Sequence, residues 1–193
     1  MKEPLLYRIV RPIVSFLVRI VFRPNYIGLE NIPKSGRVVL AGTHTNDFDS
    51  PLLMSCTKRV IHFLAKESLT KGILGPAFKA LGLIPVNRAI HDKDALKSAI
   101  NTLEEDKVIG IFPEGTINRT DDLIMPFKIG AVKMSKETNT KIVPFVITGK
   151  YKVFKKSVTI EFLKPIEIKS DDLTKENERL MNIIRKKLEE KRK

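Results

Sequence analysis

His44 and Asp49 stand five positions apart in the stretch Gly42-Thr43-His44-Thr45-Asn46-Asp47-Phe48-Asp49-Ser50. An imidazole titrates near neutrality, so it can take a proton from an alcohol and give it back later. A carboxylate on its other nitrogen fixes the tautomer and stabilises the imidazolium that forms. Such a pair can act directly on a substrate hydroxyl, with no protein nucleophile. A second polar stretch, Ile111-Phe112-Pro113-Glu114-Gly115-Thr116, puts a carboxylate, a glycine and a hydroxyl in one turn. Backbone N–H groups at such a turn can hold phosphate oxygens, and Glu114 can accept from a hydroxyl or pair with an arginine.

These residues are far apart in sequence, so a scaffold must bring them together. Short apolar runs at 37–42, 60–65, 83–86, 107–112 and 141–148 predict strands. Between them, 50–56, 69–81 (despite Pro76), 92–105 and 128–138 predict helices, with Asp92 placed to cap the third. Residues 153–168 read as two β-runs with a turn near Lys164-Pro165, and 170–193 as an amphipathic helix with Leu173, Leu180, Ile184 and Leu188 on its apolar line. This alternation predicts an α/β fold with a mostly parallel central sheet and helices on both faces. Ligand sites in such sheets collect beyond the strand C-terminal ends. His44, Arg88 and Glu114 each fall just after a predicted strand, so they are expected at one edge.

The N-terminal segment, residues 1–24, is set apart from a domain spanning 25–193. Between Leu5 and Phe22 the longest charge-free run, Pro12 to Val18, is too short to cross a bilayer. The segment also lacks the small-residue cleavage site of a secretory signal. Arg8, Arg11, Ser15 and Arg19 form one helical stripe, and Leu6, Ile9, Ile13, Phe16, Leu17 and Ile20 lie opposite. This pattern predicts an amphipathic helix lying in the headgroup layer, with arginines toward lipid phosphates and apolar side chains in the acyl region. The alternative is a core-packing helix with a solvated arginine stripe. Pro12 is expected to kink or break the helix.

Lys and Arg number 35 against 22 Asp and Glu, a formal net charge of +13, which implies an anionic partner. Without Trp, with few Tyr and with no RNA- or DNA-binding motif, a nucleic-acid partner is not expected, and an anionic membrane surface is favoured. A single cysteine, Cys56, excludes an internal disulfide and fits a reducing compartment, so the expected location is peripheral, on the cytoplasmic face of the cell membrane.

The two polar stretches resemble the His-x-x-x-x-Asp and Phe-Pro-Glu-Gly-Thr blocks of the glycerolipid acyltransferase superfamily, above all its bacterial lysophosphatidic acid acyltransferases. Ile84-Pro85-Val86-Asn87-Arg88 is similar to the block that ends in a phosphate-binding arginine, and Ile142-Val143-Pro144-Phe145 to the fourth block. Phe127-Lys128, with Gly130-Ala131 after it, also follows the pattern, so the resemblance covers about 38 to 148 in order. It implies that His44 deprotonates the free hydroxyl of lysophosphatidic acid while Asp49 orients it. That hydroxyl attacks a fatty acyl thioester on coenzyme A or acyl carrier protein, giving phosphatidic acid in phospholipid biosynthesis. Arg88, Glu114, Gly115 and Thr116 are implied to bind the acceptor's glycerol phosphate, with no metal or bound cofactor. One departure is Ile117, where the family commonly has Arg; Arg119, two residues on, can serve from the same loop. The acceptor headgroup therefore stays open to another lysolipid. A non-catalytic lipid-binding protein is the alternative of a different class.

Lys128 reads equally as a phosphate contact or a solvated helix residue. Asp47 reads as a turn or cap residue, His62 as packed, His91 as an exposed loop residue and Cys56 as a small buried side chain. Ser50 lacks the G-x-S-x-G elbow of a serine hydrolase. A metal held by His44, Asp47 and Asp49 is not expected.

Overall fold

The computed structural model describes residues 4–87 and 92–192. In chain order the strands are β1 (Asn25–Ile27), β2 (Val38–Gly42), β3 (Ile61–Lys66), β4 (Ile84–Val86), β5 (Val108–Ile111), β6 (Ile142–Gly149) and β7 (Val158–Phe162). The helices are α1 (Leu5–Val21), α2 (Asp49–Met54), α3 (Glu67–Lys71), α4 (Gly75–Ala80), α5 (Lys93–Glu104), α6 (Gly130–Glu137) and α7 (Leu173–Arg192). One sheet runs in the order β1-β7-β6-β2-β5-β3-β4. From β6 to β4 every pairing is parallel, whereas β7 runs antiparallel to β6 and carries β1 beside it. The fold is thus α/β with a mostly parallel central sheet.

Helices cover both faces, which explains the continuous apolar runs of the central strands. Val39, Ala41, Ile109, Ile111 and Ile142 pack on one side with Ala99 and Leu103 of α5, Val132 and Met134 of α6, and Leu180, Ile184 and Leu188 of α7. Val38, Leu40, Val108, Val143 and Phe145 pack on the other side with Val18 of α1 and Leu52 and Leu53 of α2. Asp92 caps α5, its carboxylate accepting from the amide of Ala95 at 2.9 Å.

Several expectations change. The single helix over 69–81 is two helices, because Gly72 ends α3 in extended backbone and Pro76 sits in the first turn of α4, where its missing N–H does no harm. Of the two β-runs over 153–168 only β7 forms, and the second reduces to one bridge between Ile142 and Ile166. Pro165 cannot donate to a ladder there. Strand β1 was not anticipated, since three half-buried residues carry no periodic signal.

Helix α1 is continuous through Pro12, so no break occurs. Tyr7, Ser15 and Val18 are buried on either side of that proline and hold the helix against the domain. Two arginines of the stripe meet main-chain carbonyls of the domain, whereas Arg8 is exposed. Arg11 Nε donates to the Thr57 carbonyl at 2.7 Å, and Arg19 Nη2 to the Ser55 carbonyl at 3.0 Å. The alternative of a core-packing helix is reversed as well: Leu5, Ile9, Ile13, Phe16, Leu17 and Ile20 are exposed. Among the described residues, no helix is long and apolar enough to cross a membrane.

Strand β2 ends at Gly42, two residues before His44, and a Cβ there would lie 2.3 Å from the Phe145 carbonyl oxygen and 2.4 Å from its ring. Neither the strand backbone nor the buried ring can retreat. Gly42→Ala is therefore expected to destabilise the fold by about 1–3 kcal/mol, read as a lower urea midpoint; an unchanged midpoint would contradict this packing.

Candidate active site

The carboxyl ends of the neighbouring strands β6, β2 and β5 converge on one edge of the sheet. The chain leaves β2 and turns sharply through Thr43 to Phe48 into α2. Thr43 anchors this turn, its hydroxyl accepting from the Ile147 amide of β6 at 3.0 Å. Asp49, fully buried at the start of α2, gathers the turn around its carboxylate. Oδ2 accepts from the amides of Thr45 at 2.5 Å and Asn46 at 2.8 Å, and from His44 Nδ1 at 3.0 Å. Oδ1 accepts from the Tyr151 hydroxyl at 2.6 Å. With both oxygens serving as acceptors, the hydrogen between ring and carboxylate belongs on Nδ1, which leaves Nε2 with a free lone pair. The imidazole stacks on Phe112, centroids 4.1 Å apart and planes inclined by 14°. A ring so held can accept a proton through Nε2 alone.

Glu114 holds the same loop from the other side. Its oxygens accept from the amide of His44 at 2.9 Å and the amide of Met125 at 3.0 Å. The His44 carbonyl in turn accepts from the Asn118 amide at 2.8 Å. Burial pushes the Glu114 carboxyl above its ordinary range, while the two amides pull it down. Gly115 follows with φ of +74°, and a Cβ there would lie 2.9 Å from Lys128 Cε. The Lys128 side chain therefore lies across the turn.

A cavity of about 660 Å³ opens beside His44. Leu64, Val86, Leu96, Ile111, Ile129 and Met134 give it apolar walls, and Gly115, Lys128 and Lys133 add polar groups. The structure thus brings together His44, Asp49, Glu114, Gly115 and Lys128. Thr116 and Arg119 are exposed on the following loop and do not line the cavity. Arg88 and His91 lie outside the described residues. Among the described residues, no group of three or more His, Cys, Asp or Glu side chains is placed to hold a metal ion. Elsewhere, His62 is buried with Nδ1 2.9 Å from the Gly82 carbonyl, and burial pushes the Cys56 thiol well up, away from its nucleophilic form.

The sequence model of the acyltransferase family matches residues 23–148. The chain belongs to the acyltransferase family. The chain is similar to the 1-acyl-sn-glycerol-3-phosphate acyltransferase of Borreliella burgdorferi, with 35% identity over 134 residues, 68% of this chain and 53% of that protein. The protein of that description from Bacillus subtilis is 31% identical over 122 residues, 62% of this chain and 60% of the relative. The chain thus spans between half and two thirds of the length of these relatives. The crystal structure of the 1-acyl-sn-glycerophosphate (LPA) acyltransferase from Thermotoga maritima superposes with a TM-score of 0.77 at 21% identity, covering 96% of this chain and 81% of that one. That likeness shows a shared fold.

Two groups at the site escape a reading of the sequence alone: Phe112, which stacks on His44, and Tyr151. The available signal for Tyr151 was position, since it follows the end of β6 as His44 follows β2. The geometry also gives Glu114 a definite task. Glu114 is 4% exposed and its oxygens already accept from two amides, so Glu114→Gln would set an NH₂ group against an N–H. The expected cost is about 1–3 kcal/mol of stability in denaturant unfolding. A Glu114→Gln protein as stable as the parent would show that the clamp is dispensable.

Proposed function

We propose that this chain transfers a fatty acyl group from an acyl thioester to the sn-2 hydroxyl of 1-acyl-sn-glycerol-3-phosphate, giving phosphatidic acid. The observation that carries the reading is the His44–Asp49 pair on the wall of an apolar cavity, in a chain of the acyltransferase family. The names of the relatives above support this acceptor. Nε2 of His44 takes the hydroxyl proton as the alkoxide attacks the thioester carbonyl. The tetrahedral intermediate then expels the thiolate, which takes the proton back from the imidazolium. Asp49 keeps Nδ1–H in place and stabilises the cation formed between these steps. The apolar walls suit an acyl chain, and Gly115 and Lys128 at the turn suit the acceptor phosphate. Arg88, Thr116 and Arg119 belong to the same proposal as further phosphate contacts. The thioester, on coenzyme A or acyl carrier protein, serves as co-substrate, and the residues' chemistry calls on no metal. Ile117, in place of the family's usual arginine, favours a second reading in which the acceptor is a different lysolipid.

We further propose that the chain works as a peripheral protein on the cytoplasmic face of an anionic membrane. The exposed apolar face of α1 supplies the contact, and the net charge of +13 supplies the attraction. Because Tyr7, Val18 and Phe22 of this segment are buried in the domain, point substitutions test the contact better than deletion. Ile13→Asp with Phe16→Asp changes side chains that are 56% and 63% exposed. The pair should sharply reduce co-sedimentation with anionic liposomes and leave the melting temperature near that of the parent. Undiminished sedimentation would overturn the membrane role of this face.

The acyl-transfer reading is tested by His44→Ala, assayed with lysophosphatidic acid and either thioester. The substitution should lower kcat/KM by roughly 10²- to 10⁴-fold. Parent-like turnover by that variant would remove His44 as the base.

A further inference from the structure

We infer that Tyr151 is a positioning residue for the His44–Asp49 pair, an inference that rests on the general-base reading of His44. The two oxygens of Asp49 are unequally served. Oδ2 accepts from two backbone amides and from the imidazole, all within the turn that leads into α2. Oδ1 has one short partner, the Tyr151 hydroxyl at 2.6 Å, and otherwise the Thr45 hydroxyl at 3.3 Å. Tyr151 reaches across from the loop after β6, 102 positions along the chain. A carboxylate held at one oxygen only can turn about its last bond. Held at both, its plane is fixed, and with it the direction from Oδ2 to Nδ1.

The donor also affects charge. A strong hydrogen bond at Oδ1 draws negative charge from Oδ2 and weakens its hold on an imidazolium. Without it, Asp49 would stabilise protonated His44 more strongly, and the ring would keep its proton to higher pH. Among the described residues, the other titratable or charged groups around this network are Glu114 from the turn after β5, Lys128 across that turn, Asp92, Lys93 and Lys133 on the cavity wall with His44, Tyr26 and Cys56 near Tyr151, and Arg19 from α1 beside both. Substituting phenylalanine at 151 alters none of them. Burial and the neighbouring Asp49 both push the Tyr151 hydroxyl upward, so it remains a donor across the working pH range.

The ring of Tyr151 is itself fixed. It packs edge-on against Phe22 at the end of α1, centroids 5.1 Å apart, and lies 5.8 Å from Phe48, the residue before Asp49. Phe22 and Phe48 touch each other at 4.8 Å. The hydroxyl is therefore delivered by a side chain with little freedom.

The test compares full-chain Tyr151→Phe, Phe48→Leu and His44→Ala, reading kcat, acceptor KM and the pH profile of kcat/KM. Tyr151→Phe should lower kcat roughly tenfold or more, leave the KM for lysophosphatidic acid unchanged, and move the acid limb of the profile to higher pH. Phe48→Leu loosens the same aromatic packing without touching the hydrogen bond, so its acid limb should stay in place. An unaltered kcat and profile in Tyr151→Phe, beside an inactive His44→Ala, would overturn the inference and leave the base reading standing. A fall in kcat with an unmoved limb, or an equal shift in Phe48→Leu, would overturn it too, because packing alone would then account for the effect. Full activity in His44→Ala would remove the base reading itself.

Discussion

A carboxylate shut away from solvent, that of Asp49, is the group around which the site is built. Burying such a charge costs several kcal/mol unless donors surround it. The chain meets this demand by curling from Thr45 to Asp49, so that consecutive amides point at one oxygen. His44 is carried to the outer side of that curl and donates its Nδ1–H to the same atom. Glu114 then takes the main-chain N–H of His44, and Asn118 donates to its carbonyl. The imidazole is thus held through its ring and through both ends of its own peptide units. None of this would form if β6, β2 and β5 were not neighbours, because each contributes a loop at the same edge.

Helix α1 answers a different physical demand. Part of its polar stripe is turned toward the domain, where the guanidinium groups of Arg19 and Arg11 donate to the carbonyls of Ser55 and Thr57 in the segment that joins α2 to β3. Those carbonyls would otherwise go without partners beneath a helix. The apolar side is left facing out, the reverse of an ordinary amphipathic helix on a protein in water. Phe22 at the end of this helix touches Phe48 and Tyr151. The surface proposed to meet lipid is therefore one aromatic contact away from the carboxylate that orients His44.

The legible parts of the sequence were those with local rules. The buried strands announced themselves as unbroken Val, Ile and Leu runs, and Asp92 as a cap ahead of an amphipathic helix. The His44–Asp49 pairing was readable because both residues lie in one turn. Contacts set by tertiary packing were not readable. Tyr151 is an isolated tyrosine in a lysine-rich loop, and nothing near it in sequence says that it meets Asp49. The inward turn of the arginine stripe was hidden for a similar reason, since amphipathic spacing shows that two sides differ but not which one the domain covers. No break occurs at Pro12 because packing on both sides of it outweighs one lost backbone hydrogen bond.

The stacking of His44 on Phe112 has a consequence for the proposed chemistry. With one nitrogen bonded to Asp49 and a flat face covered by Phe112, the ring is held in one orientation, which leaves Nε2 to handle the proton. In the proposed reaction, the hydrogen collected from the alcohol is therefore passed on from the same nitrogen, to the sulfur that is leaving.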